Sequence, residues 1–345
     1  MFHSKIPLVT LTAEGLYCKA GDFYIDPHRA VNVAIVTHAH SDHARRGSRK
    51  YICEETGAEL LKTRLGKNIS IDQYGYGEVF YLGNVKVSLH SAGHILGSSQ
   101  IRLEHDGEVW VVSGDYKRDS DPSCEPFESV TCDAFITEAT FGTPRFVWEK
   151  NLRHGEMIHD WWISNAKSGM NSILFGYSLG KAQRILAELS SFAHKPVLIH
   201  QTIIELTECY RRQNRKMADT TSLMEKINDL IFHQKLDGEL ILAPPSILSE
   251  KWIHHLGAYQ TAFASGWMQG NKLRGYDRGF VMSDHADWND LNLTIRQSQA
   301  KKVYVQHRDG ALVRHLRNQG ISAFSVEQLR IENFTPKPGE NLVLI

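Results

Sequence analysis

A chain of 345 residues is longer than one hydrophobic core usually organises, since cores stop growing near ~250–300 residues, so two lobes are expected. Apolar residues make up 42% and charged residues 23%, which excludes a disordered, collagenous or low-complexity chain. Thirty-nine basic residues balance thirty-nine acidic ones, so the molecule is no polycation, and any nucleic acid it holds must meet a local basic surface.

From the start to about residue 140, short apolar runs separated by turn residues predict strands at Asp22–Asp26, Val33–Thr37, Val85–His90, Glu108–Asp115 and Ala134–Glu138. Between about 150 and 280 the texture changes. Helix-like stretches at Gly155–Lys167, Lys181–Ser190 and Leu223–Phe232 alternate with runs at Ser172–Tyr177, Pro196–His200, Glu239–Ala243 and Ala262–Ser265, which predicts a parallel βα layer. The tail returns to the first texture with Gly279–Ser283, a helix-like Leu291–Gln299, the run Val303–His307 and a short helix before Gly320. Residues 211–216, RRQNRK, with the polar stretch to Ser222, read as the most loop-like part and the one dense basic run. Cys18, Cys53, Cys124, Cys132 and Cys209 form no CxxC pair, which argues against a disulfide scaffold or a zinc ribbon. MFHSKIPLVTLTAEG lacks a basic segment followed by an apolar stretch, and nowhere are about 18 apolar residues consecutive. The expectation is a cytoplasmic protein with no membrane partner.

Eighteen histidines are more than twice the ~2% share of an average protein, and histidine is the commonest metal ligand. In THAHSDH, His38, His40 and Asp42 alternate behind the apolar run 33–36, and alternation in extended chain sends three side chains to one side, with His43 next. So many ring nitrogens buried without partners would cost several kcal/mol, whereas a metal ion satisfies them together. The arrangement recurs at His94, Asp115, Glu138, Asp284-His285 and His307, each just beyond an apolar run. Ligands of open α/β sheets gather beyond the strand C-termini. This set exceeds what one tetrahedral zinc requires, so two metals are implied. Two ions about 3.5–4 Å apart would generate hydroxide near neutral pH and clamp an in-line displacement, with Asp115 the natural bridge.

Asp26 at the end of DFYID, HxHxDH at 38–43, GH at 93–94 and GD at 114–115 together resemble the metallo-β-lactamase superfamily. ITEATFG at 136–142, MSDHAD at 282–287 and VQH at 305–307 look like motifs A, B and C of its β-CASP nucleases. FGYSLGKAQR, APPS, TAFASGWM and YDRGFVMSDHADW are similar to bacterial DNA exonucleases that accompany ATP-dependent ligases, some of them described as messenger-RNA 3′-end processing factors. The resemblance covers nearly the whole chain apart from about 205–237. It implies an α/β fold, a four-layer αββα sandwich with an inserted β-CASP lobe. The divisions would be 1–145 and 279–345 for the sandwich and 146–278 for the insertion. Carried over, His38, His40 and His94 would hold one divalent ion, zinc or alternatively manganese. Asp42, His43 and His307 would hold a second, and Asp115 would bridge them. His285 would be the general acid, oriented by Glu138, and Asp26 would orient a ligand histidine or its loop. Where the family usually follows the motif C histidine with glycine, this chain has Arg308-Asp309-Gly310.

Ser178, Gly180 and Lys181, after the run Ser172–Tyr177, open a helix whose backbone N–H groups and lysine could cradle a phosphate, though the loop is not a P-loop. Trp161, Trp162, Trp252, Trp267 and Trp288 could stack bases, yet tryptophan usually packs in cores. The resulting expectation is a two-metal phosphodiesterase, a DNA exonuclease acting in DNA repair, with nucleic acid as partner and a functional association with an ATP-dependent ligase. The alternatives are a β-CASP ribonuclease, a small-molecule thioesterase or lactamase, and a catalytically silent scaffold that binds nucleic acid or a ligase.

Overall fold

The computed structural model describes residues 7–230, 235–249, 253, 256–270, 275–306 and 310–330. Two sheets face each other. The first runs in the order Thr10–Leu11, Leu16–Cys18, Phe23–Ile25, Val33–Ile35, Lys50–Glu54, Ile71–Tyr74, and its pairing changes from antiparallel to parallel at Phe23–Ile25. The second runs Ala323–Ser325, Lys302–Val305, Ala134–Thr137, Glu108–Val112, Ser99–His105, Val85–Ser91, Val79–Leu82.

Period-two alternation sorts the side chains of these strands between two cores. Ile35, Trp110, Val112, Ala134 and Ile136 meet between the two sheets. Their neighbours turn outward. Ala34 and Val36 pack under Leu60, Leu61 and Leu65 of the helix Ala58–Leu65, while Val111 and Phe135 pack under Leu291, Ile295, Leu312 and Leu316 of the helices Trp288–Ser298 and Ala311–Asn318. The layers are therefore helix, sheet, sheet, helix, as expected.

The third sheet is parallel throughout, in the order Thr220–Ser222, Val197–Ile199, Leu240–Ala243, Asn171–Phe175, Tyr259–Ala264, Arg278–Phe280. Leu174, Leu240 and Leu242 face the helices His154–Lys167 and Lys181–Leu189, and Ile173, Phe175 and Ile241 face the opposite side with the helix Leu223–Asn228. Two differences from expectation stand out. The run predicted at Gly279–Ser283 is in place at Arg278–Phe280 and joins this sheet through Ala262↔Arg278 and Ala264↔Phe280, so the sheet continues past residue 278. The loop-like stretch begins only after Arg211 and Arg212, which form the solvated end of the helix Gln201–Arg212, and the helix predicted as Leu223–Phe232 ends at Asn228, Phe232 itself lying outside the described residues. No helix among the described residues is long and apolar enough to cross a membrane, and the five cysteines are free and buried.

Candidate metal centre

The chain leaves Phe23–Ile25 at Asp26, whose φ of 45° turns its carboxylate toward the loop beyond Val33–Ile35. That carboxylate accepts the Thr37 N–H at 2.7 Å, the Thr37 hydroxyl at 2.6 Å and the His43 Nδ1–H at 2.7 Å. With its proton given to Asp26, Thr37 Oγ1 accepts from His38 Nδ1 at 3.1 Å. The His40 Nε2–H donates to Leu179 O at 3.1 Å, and the His94 Nδ1–H donates to Asp284 O at 2.6 Å. Each acceptor fixes a tautomer, so the remaining nitrogen of His38, of His40 and of His94 carries a lone pair.

Those remaining nitrogens converge. His40 Nδ1 lies 3.1 Å from His38 Nε2 and 3.1 Å from His94 Nε2, and with an Asp115 oxygen these atoms fall within 4.8 Å of one another. Lone pairs directed at each other repel, and a cation among them removes the repulsion. Nitrogens about 3.3 Å apart form the edge of a tetrahedron around zinc at ~2.0–2.1 Å. Burial, then the charges of neighbouring rings, hold His38 and His94 well below the ordinary imidazole range. Burial also lowers His40, which keeps all three rings neutral and able to donate lone pairs. The donor set fits a divalent metal.

Asp115 sits at the hub. Its Oδ2 is 3.4 Å from His43 Nε2, 3.6 Å from His38 Nε2, 3.8 Å from His94 Nε2 and 4.0 Å from His285 Nδ1. Burial opposes its charge, but His43 and His285 outweigh this and hold the carboxyl well below the usual range. Asp42, mostly exposed, brings Oδ2 to 3.7 Å from His43 Nε2. His307 lies outside the described residues, so of the three residues expected around a second ion the structure brings together Asp42 and His43.

Glu138 is fully buried beyond Ala134–Thr137. It accepts the Tyr116 N–H at 2.6 Å and the His285 Nδ1–H at 3.0 Å. Burial of the His285 ring disfavours charge, yet the Glu138 carboxylate, followed by Asp115, prevails and pushes it up to about 9. The two carboxylates therefore favour the charged ring. His285, Asp42, Asp115, His40 and His94 line one cavity of about 610 Å³, whose wall also includes Arg64, Phe141, Tyr177, Lys181 and Trp267.

Ser178 and Gly180 stand apart from that wall. The Ser178 hydroxyl pairs with Thr202 Oγ1, and the Gly180 N–H is taken by Gln183 Oε1. Lys181 reaches the cavity but spends its ammonium on Asp284 Oδ1 at 2.6 Å and on Met282 O. Trp161 and Trp162 are core residues, Trp288 packs against a core, Trp252 lies outside the described residues, and Trp267 alone of the five is 40% exposed on the cavity wall. Sequence reasoning missed Thr37, Arg64, Arg184 and the carbonyls of Leu179 and Asp284. Lys181 and Arg184, three apart at a helix start, were the only visible sign of the last group.

No family model matches the chain. It is 28% identical over 321 residues to a probable DNA ligase from Opitutus terrae, covering 91% of this chain and 30% of that protein. It is 26% identical over 212 residues to an RNase J-like protein from Methanocaldococcus jannaschii, covering 53% of this chain and 50% of that one. It is 25% identical over 221 residues to Endoribonuclease YSH1 from Eremothecium gossypii, covering 53% and 28%. The chain thus spans half or less of the length of these relatives. A crystal structure of a protein of unknown function from Enterococcus faecalis superposes with a TM-score of 0.52 at 14% identity, over 90% of this chain and 81% of that one, a likeness of fold.

Proposed function

This chain belongs to the β-CASP group of the metallo-β-lactamase superfamily, and from that premise we propose that it is a metal-dependent phosphodiesterase, a DNA exonuclease acting in DNA repair. The observation that carries the reading is the convergence of three imidazole nitrogens and Asp115 beside His285, itself hydrogen-bonded to Glu138, in one cavity. His38, His40 and His94 would hold one divalent ion. Asp42 and His43, with His307, would hold another, Asp115 would lie between them, and zinc is favoured over manganese by the nitrogen donors. Bound ions of this kind supply a nucleophile at neutral pH and neutralise charge developing on a phosphoryl group.

The chain's own groups do the rest. Glu138 takes the Nδ1 proton of His285 as a hydrogen bond, which leaves the Nε2 proton for the departing oxygen of the cleaved ester. Asp26 holds the rings of His38, through Thr37, and of His43 in the productive tautomer. Tyr177 and Trp267, both exposed on the cavity wall, offer ring faces to an unpaired base next to the scissile bond.

DNA is favoured because 91% of the chain is matched in the probable DNA ligase, which also supports association with an ATP-dependent DNA ligase. The matched RNase J-like protein and Endoribonuclease YSH1 support ribonuclease action as the second reading. A division of the chain near residues 145 and 280 is supported by the third sheet, and a cytoplasmic location by five free thiols. The test is to incubate the protein and zinc or manganese with end-labelled DNA and RNA of matched sequence. Mononucleotides released from DNA are expected, and Asp42→Ala should abolish their release. Cleavage of RNA alone would transfer the assignment to the second reading. Thioester or lactam hydrolysis with both polymers intact, or a metal-replete protein inert on everything, would end it.

A further inference from the structure

One of the three converging histidines is oriented from outside the sandwich, and a second through a sandwich segment that the third-sheet lobe holds in place. His40 donates to Leu179 O at 3.1 Å, and Leu179 lies in the turn between the third-sheet strand Asn171–Phe175 and the helix Lys181–Leu189. The turn presses close. Gly180 has φ 85°, and a Cβ there would stand 2.5 Å from Ile95 Cγ2 and 3.5 Å from His40 Nε2, so only glycine lets the backbone approach. His94 donates to Asp284 O at 2.6 Å, and the first turn of the same helix holds the segment 282–284. Lys181 Nζ donates to Asp284 Oδ1 at 2.6 Å and to Met282 O. Arg184 donates to Ser283 O and lies 3.4 Å from Asp284 Oδ1. All three charged side chains are buried. His38, by contrast, is oriented within the sandwich, through Thr37 and Asp26.

We propose that the segment Leu179–Arg184 is a positioning element that couples docking of the third-sheet lobe to metal affinity at His38, His40 and His94. The inference rests on the metal reading of that site but not on nuclease activity. The buried ion pair ends on the carboxylate of the residue whose own carbonyl sets the His94 tautomer, and its other donors hold the carbonyls of Met282 and Ser283 just before it. Here both contacts of the turn, one through a carbonyl and one through Asp284, end on rings whose free nitrogens face the same point. Coupling between two equilibria is reciprocal. Tight docking strengthens metal binding, and metal binding must tighten docking by the same factor.

The test uses the full chain and zinc sulfate, without nucleic acid. Zinc affinity is measured by competition with a chromophoric chelator for the wild type, Lys181→Met, Lys181→Arg and Asp284→Asn. Lys181→Met should bind zinc 10- to 100-fold more weakly, and Lys181→Arg should recover most of the loss. A folded Lys181→Met protein with wild-type affinity overturns the coupling, because a merely structural role would lower the unfolding midpoint alone. Hydrogen exchange of the wild type with and without zinc covers the case in which the variants do not fold. Zinc should slow amide exchange at residues 179–185 and 282–285 as well as at 37–43. Protection confined to 37–43 also overturns the coupling. A wild type that binds no zinc overturns the metal reading itself, and the coupling falls with it.

Discussion

Asp26 receives three hydrogen bonds on two oxygens and thereby fixes two imidazole tautomers. Asp26→Ala is expected to weaken zinc binding 10- to 100-fold while the protein stays folded, as read by chelator competition and circular dichroism. His285 has the opposite profile. It donates to Glu138 and stands at the edge of the donor cluster, so His285→Ala should retain wild-type metal content while slowing turnover about 10²- to 10⁴-fold. Loss of metal in that variant would count against its role as acid. His154 supplies a test of pH dependence away from the centre. Its Nε2 donates to Val281 O at 3.0 Å, and burial, then the Arg184 charge, lowers its pKa to about 4. In the unfolded chain the ring takes a proton near pH 6.5, whereas the folded chain refuses it until about pH 4. Stability from this group is therefore complete above pH 6.5 and lost as pH falls toward 4, by on the order of 3 kcal/mol. Urea unfolding at pH 7 and pH 5 should show a smaller drop for His154→Gln than for the wild type. Equal drops would refute the assignment.

Among the elements, the helices His154–Lys167 and Lys181–Leu189 meet without a side chain between them at Gly155. A Cβ there would lie 2.1 Å from Glu188 O, and a backbone oxygen cannot rotate away. Gly155→Ala should cost about 1–3 kcal/mol, because the second helix must shift and carry Lys181 and Arg184 with it. A urea midpoint equal to wild type would show that the contact gives way freely. Much at this scale was legible. Ala134–Thr137 and Glu108–Val112 show two-residue alternation between cores, and Lys181–Leu189 ends one residue before its expected boundary. Of the helix Gln201–Arg212 the sequence showed only its basic end, since RRQNRK reads as loop-like or as a solvated helix end. Arg212 pairs with Glu59 at 2.7 Å, Arg211 with Glu208 at 2.6 Å, and Arg215 with Glu125. Glu208 is three positions from Arg211, but Glu59 and Glu125 lie 153 and 90 positions from their partners, beyond any local pattern.

For the molecule as a whole, a formal net charge of zero leaves no long-range pull on a polyanion, so attraction must come from one face. Arg45 and Arg46 are exposed beside His43, Arg46 rests on Arg64 O, and the Arg64 guanidinium bonds Ala39 O on the cavity wall. If this rim meets phosphates, Arg45→Ala should weaken binding of single-stranded DNA about equally across sequences and reduce the slope of log K against log salt by about 1. An unchanged slope would remove the rim from the binding face.

What the sequence determined by itself is what is local. Alternating apolar residues commit a strand to two cores, and a histidine or carboxylate at a strand end is visible as such because the side chain carries the chemistry. Only the tertiary structure decided which nitrogen of each ring faces inward, because the acceptors that settle it for His40 and His94 are the carbonyls of Leu179 and Asp284. Every residue has a carbonyl, so no residue type marks these two. Lys181 shows the same limit from the other side. Its position at a helix start suggested a phosphate, and folding instead placed a buried carboxylate 103 positions later within 2.6 Å of its ammonium. A buried ammonium is stabilised by the acceptors that reach it, and which acceptors do so is set by how the layers pack.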